Sequence, residues 1–114
     1  MTRTTLDSVE IRELAPGEER KLSAWLGQAL DGATISSVTS IEQTSGTTTL
    51  EVSSGVINSG GAVTVDGVSR ATSTVVQYVV TVPEDAELGD YVLTVTYATS
   101  GGNTEKFRCR LRIV

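Results

Sequence analysis

Histidine is missing from this chain altogether, which removes the side chain most used as general base, proton shuttle and metal ligand. A Ser-His-Asp arrangement is therefore excluded. The many serines and threonines alternate with Val and Ile, where a hydroxyl reads as a tolerated outward group on a strand. Cysteine occurs once, as Cys109, so no disulfide can close within the chain. Its phase with Phe107, Leu111 and Ile113 marks it as a small buried hydrophobe rather than a functional thiol. Aromatic residues make up 4% of the chain, leaving few of the ring platforms that sugar sites use. A net charge of −5 and a pI near 4.6 argue against nucleic acid as the partner, because phosphate binding relies on positive charge. No apolar run is long enough to span a bilayer, and Met1-Thr2-Arg3-Thr4-Thr5 leads into polar sequence. The expectation is a soluble chain that stays in a cytoplasm, with no membrane partner.

What the chain does have is alternation. Gly89 to Tyr97 and Glu105 to Ile113 are two runs in which apolar and polar residues alternate, interrupted only by Val92 and by the Glu105-Lys106 start, and they are joined by Thr99-Ser100-Gly101-Gly102-Asn103. Successive strand side chains point to opposite faces, so each run packs one face on a core and wets the other. Further Val/Ile/Thr-rich runs fall at Ala33 to Ile41, Thr47 to Val52, Val63 to Val65 and Val75 to Val82. Ser45-Gly46, Ser54-Gly55, Asn58-Ser59-Gly60-Gly61 and Asp66-Gly67 lie between them as turns. Lys21 to Leu26 suits a strand or a short helix by propensity, and Gly27 with Asp31-Gly32 favours the strand. About seven short antiparallel strands at this spacing predict an all-β, immunoglobulin-like sandwich, with no helix required. The expected core is Ile35, Ile41, Val76, Tyr78, Val80, Val82, Tyr91, Leu93, Val95, Tyr97, Phe107, Leu111 and Ile113. The pattern leaves strand pairing in residues 43–74 open.

At 114 residues there is room for one domain. Val9-Glu10-Ile11-Arg12 alternates only weakly, and Ala15-Pro16-Gly17-Glu18 reads as a turn. Residues 1–17 are therefore expected to form an N-terminal arm, flexible or ordered on assembly, and residues 18–114 the sandwich.

The candidate sites carry little chemistry. Glu84, Asp85, Glu87 and Asp90 form the densest acidic group, but their spacing matches no calcium loop. Ser59-Gly60-Gly61 and Ser100-Gly101-Gly102 lack the Lys and following helix of a phosphate cradle. No metal, cofactor or catalytic residue is expected. Lys106, Arg108, Arg110 and Arg112 share the outward face of the last strand, where they would either grip an acidic partner or blunt an exposed edge against aggregation. Trp25 is the sole tryptophan, a core filler or an interface anchor. Tyr91, which opens the strand after Pro83-Glu84-Asp85-Ala86-Glu87-Leu88, is the candidate for a tyrosine corner, its hydroxyl turned back onto the loop backbone. Leu93, Val95, Phe107 and Leu111 are the structural residues around it.

The order Leu22-Ser23-Ala24-Trp25-Leu26, Asp31-Gly32-Ala33-Thr34-Ile35-Ser36-Ser37, Gly89-Asp90-Tyr91 and the Gly101-Gly102 hairpin, ending in Arg108-Cys109-Arg110-Leu111-Arg112-Ile113, resembles a family of small tailed-bacteriophage structural proteins. The resemblance runs from about residue 20 to residue 113. It implies a non-enzymatic virion component decorating or reinforcing the capsid, located on the capsid surface. Its partner would be the major capsid protein or another virion subunit, with self-association on the particle. A tail or connector assembly subunit, or an adhesion module for host-surface carbohydrate, is the alternative.

Overall fold

The computed structural model describes residues 6–114, with side chains from residue 11 onward. Ten strands and one helical turn follow in order: β1 (Leu6–Leu14), β2 (Glu19–Trp25), α1 (Gly27–Leu30), β3 (Ile35–Ser45), β4 (Glu51–Val52), β5 (Val56–Ile57), β6 (Val63–Val65), β7 (Val68–Arg70), β8 (Val75–Thr81), β9 (Gly89–Thr99) and β10 (Thr104–Ile113). The first sheet has the order β1-β10-β9-β3. The second runs β2-β8-β4, with β5 also on β8, and β6-β7 forms a separate hairpin.

The alternation of β9 and β10 does what strand geometry requires. Tyr91, Leu93, Val95 and Tyr97 point inward from β9, and Cys109, Leu111 and Ile113 from β10, all buried. They meet Leu22 and Ala24 of β2 and Val76, Tyr78 and Val80 of β8 in one apolar cluster. The chain is an all-β sandwich, as the alternation predicts. Ile41 and Phe107 are only partly buried and pack on the rim of that cluster. Removing one such aliphatic side chain from water is worth about 1.5–3 kcal/mol, so the inward rows of β8, β9 and β10 carry most of the hydrophobic stabilisation.

Three expectations need correction. Residues 6–14 are not an arm: β1 pairs in parallel with β10 from Leu6↔Phe107 to Leu14↔Ile113, with a register shift between Asp7 and Ile11. Leu14 is buried in the core, and the Val114 amide donates to the Leu14 carbonyl, so the sandwich begins well before residue 18. Residues 1–5 lie outside the described residues. The β1–β10 pairing also means that the sheet is mixed rather than antiparallel throughout. Finally, Leu26 to Leu30 closes a single helical turn, which buries Ala29 and Leu30 and ends on Asp31 in the left-handed region.

The open middle resolves into short pieces. β4 and β5 pair antiparallel with β8, and β6 pairs with β7 around Asp66-Gly67. Asn58 is the organiser: its side-chain amide donates to the Gly61 and Ala71 carbonyls, and its oxygen accepts from the Thr74 and Val75 amides. The residue is buried and fully engaged, and it ties both ends of the hairpin to the start of β8. β3, at the far edge of the first sheet, carries three register irregularities against β9. Such bulges twist an edge away from pairing with another chain.

Candidate functional site

Alternation along β10 turns Lys106, Arg108 and Arg110 into solvent, with Arg112 half-buried on the same face. The cationic row is real, but its expected role as an edge guard is not. β10 lies between β1 and β9, so it has no free edge to guard. Arg112 sits opposite Glu13 of β1 and Asp90 of β9, and its Nε donates to Asp90 Oδ1 at 2.9 Å. That hydrogen bond, and then the Asp90 charge, pushes the Arg112 guanidinium above its ordinary value. At the other end Lys106 is in register with Thr96 of β9, and Arg108 with Thr94 of β9 and Asp7 of β1.

A cleft of about 450 Å3 opens at one side of the sandwich, lined from β1 and β10 and from β2, with the β6–β7 hairpin beside it. Its wall is apolar where Leu22, Ala24 and Phe107 contribute. Tyr78 and Cys109 line it as well, both buried. Burial holds the Cys109 thiol protonated, above its ordinary value, and pushes the Tyr78 hydroxyl upward for the same reason. Neither is poised as a nucleophile.

Trp25 does not fill the core. It stands opposite Val75 on the pair β2–β8, is only partly buried, and lines the cleft together with Leu22 and Ala24. Gly27 makes room for it, since a Cβ there would overlap the indole ring. The Arg70 guanidinium lies over that ring, 3.6 Å from its centre, a cation–π contact that strengthens as water is excluded. Arg70 Nε is buried without a hydrogen-bond partner. Arg12 and Arg110 line the same cleft. Arg12 holds Asp66 at the hairpin turn through two hydrogen bonds, 2.9 and 2.6 Å long, a paired geometry that fixes orientation as well as distance. Val68, 47% exposed, is a further lining residue.

At the other end of β2 the loop between β8 and β9 is closed by Tyr91. Its hydroxyl donates to the Glu87 carbonyl at 2.7 Å, the geometry of a tyrosine corner. The turn after β3 wraps the ring: Gly46, at φ 127, leaves no space for a Cβ against it, and the Glu87 amide donates to Thr48 Oγ1. Glu84, Asp85, Glu87 and Asp90 are exposed around this loop. Among the described residues no group of three or more Cys, Asp or Glu is placed to hold a metal ion.

Sequence reasoning found Trp25, the basic row and Tyr91, but not Arg12, Asp66, Arg70 or Asn58. The Asp66-Gly67 turn was the available signal for the hairpin. Nothing in the alternation indicates which cation meets its aspartate, because that contact crosses 54 positions of sequence.

The described residues thus define an all-β sandwich with a side cleft in which an arginine covers the only tryptophan. No protein-family model matches the chain, and no curated protein or solved structure is significantly similar to it.

Proposed function

We propose that this chain is a non-enzymatic structural protein of a tailed-bacteriophage virion, an immunoglobulin-like domain that decorates or reinforces the capsid from its surface. One observation supports the reading above the rest. The two stretches that carry the resemblance, Asp31 to Ser37 and the closing hairpin, clasp each other in space. The Thr34 amide donates to Ser100 Oγ at 3.0 Å, and the Ser100 amide donates to the Thr34 carbonyl at 2.8 Å. Sequence elements some 66 positions apart are thereby one local unit. The neighbours β2-β8-β4 in one sheet and β10-β9-β3 in the other, with the corner at Tyr91, support the immunoglobulin-like part of this reading. A rigid domain with a cationic face and an apolar cleft suits docking on a repeating protein surface.

Co-sedimentation with mature capsids that lack the chain tests this directly. Saturation at a fixed ratio to the capsid subunit is the expected result. Absence of binding would move the assignment to a tail or connector subunit, whose assembly rests on contacts between copies. The carbohydrate-binding alternative gains nothing from the rings: Tyr78, Tyr91 and Tyr97 are buried, and Trp25 is covered by Arg70.

A further inference from the structure

We propose that copies of this chain associate head to tail, with the acidic loop between β8 and β9 of one copy seated in the side cleft of the next. This stands apart from the capsid reading and does not depend on it. The loop offers an apolar side chain in an acidic setting. Leu88 is 67% exposed, the highest value among the exposed large hydrophobics of the described residues, and Glu84, Asp85 and Glu87 around it are exposed too. The cleft offers the complement. It has apolar walls at Leu22, Ala24 and Phe107, Val68 exposed among its lining, and three arginines, Arg12, Arg70 and Arg110, against one acid, Asp66, which Arg12 pairs. Arg70 Nε lies buried with no hydrogen-bond partner, so the cation is partly desolvated without compensation, which a carboxylate set against the guanidinium would supply.

The two surfaces cannot meet within one copy. The loop leaves the sheet beside Glu18, whose carbonyl accepts from the Val82 amide. Trp25 lies at the opposite end of β2, six residues past Glu19 and so about 20 Å away along a strand. A protrusion and a receptor at different places on one chain make a heterologous contact, which propagates into a ring if the rotation closes and a filament if it does not. The occupant is a second copy because both complementary halves are present on the same chain. With a net charge of −5, two copies repel at long range, and the acidic loop against the cationic cleft is the local arrangement that offsets this.

Sedimentation velocity on the full chain, at concentrations up to about 1 mM, reads the outcome. The wild type is expected to grow in mean mass with concentration. Leu88→Glu removes the apolar contact at an exposed position and should weaken self-association about tenfold or more, the loss expected for one buried leucine. Val68→Glu sets a like charge among the cleft-lining residues, also at an exposed position, and should do the same. The decisive sample is the equimolar mixture. The first variant keeps only a working cleft and the second only a working loop, so together they should form dimers and nothing larger. A wild type that stays monomeric overturns the proposal, as do variants that assemble like the wild type or a mixture that remains monomeric. Capsid co-sedimentation of the same samples separates this failure from failure of the capsid reading.

Discussion

Two hairpins of this molecule are held together in opposite ways. β9 and β10 pair continuously from Gly89↔Ile113 to Ala98↔Thr104, and their inward row of Tyr91, Leu93, Val95, Tyr97, Leu111 and Ile113 is at most 1% exposed. The β6–β7 hairpin pairs only from Val63↔Arg70 to Val65↔Val68, and Val65 is its one buried hydrophobe. A two-stranded hairpin of that length is not stable alone in water. It is fastened by points: Asn58 at its base, Arg12 on Asp66 at its turn, and Arg70 over Trp25 along its side. The long hairpin is secured by area and the short one by individual polar and cationic contacts. The first tolerates conservative change at single positions, whereas the second depends on a few atoms.

Leu93→Ala should produce the largest loss. Leu93 is fully buried in the apolar cluster, and truncating such a leucine costs about 2–5 kcal/mol through lost transfer energy and the cavity left behind. Chemical denaturation should show the midpoint fall with an unchanged slope, because the whole sandwich melts with that row. Asn58→Ala comes next, at about 2 kcal/mol, since it leaves the Thr74 and Val75 amides without their acceptor in a buried place. Here the comparison can be broken. Hydrogen exchange should accelerate at Thr74 and Val75 and over residues 59–73 while β9 and β10 stay protected, as local opening predicts. Uniform acceleration across both hairpins would mean that the short one is part of the same cooperative unit.

Alternation is why the long hairpin was readable in the sequence. A period of two over nine or ten residues admits one interpretation, and it places the core, the outward cations and the turn at Gly101-Gly102 together. Tyr91 was readable too, because the corner joins residues only four apart. β1 was not. Its alternation is weak and interrupted by a register shift, and pairing in parallel with β10 is a long-range choice with no local signature. The same holds for β5 and β7, two and three residues long, too short for any period to show. The cleft was missed because its parts come from β1, β2, β10 and the hairpin, and only the folded chain brings Arg70 onto Trp25. The basic row is legible as a row, but of its two readings the edge guard fails, since the sequence does not say that β1 covers β10.

Tyr91→Phe probes the region where the two kinds of fastening overlap. The ring is buried in the apolar cluster, while the hydroxyl secures the loop by a hydrogen bond to the Glu87 carbonyl and a longer one, 3.4 Å, shared with Thr47 Oγ1. Phenylalanine keeps the area and removes both bonds, so the expected loss is about 1 kcal/mol in a denaturation midpoint. An unchanged midpoint would mean that the hydroxyl contributes nothing beyond its ring. Exchange should quicken at the Glu87 amide, which donates to Thr48 Oγ1 of the turn after β3.

The smallest effect belongs to the Arg12–Asp66 pair, and it is also the sharpest measure of how the short hairpin is held. The two side chains are 31% and 46% exposed, and pairs in that setting contribute at most about 1 kcal/mol. Both residues have other contacts, so single variants overstate the pair; a cycle of Arg12→Met, Asp66→Asn and the double variant isolates the coupling. The expected coupling is a few tenths of a kcal/mol to about 1 kcal/mol, falling as salt screens it. Emission from Trp25 supplies an independent reading, since it is the only tryptophan and Arg70 of the hairpin covers it. Its spectrum should shift when the pair is broken, because loosening the turn at Asp66 lets the hairpin lift and water reach the indole. A cycle with no coupling and an unmoved spectrum would leave Asn58 and the Arg70–Trp25 contact as the whole attachment, so the hairpin would be anchored at its base and side alone.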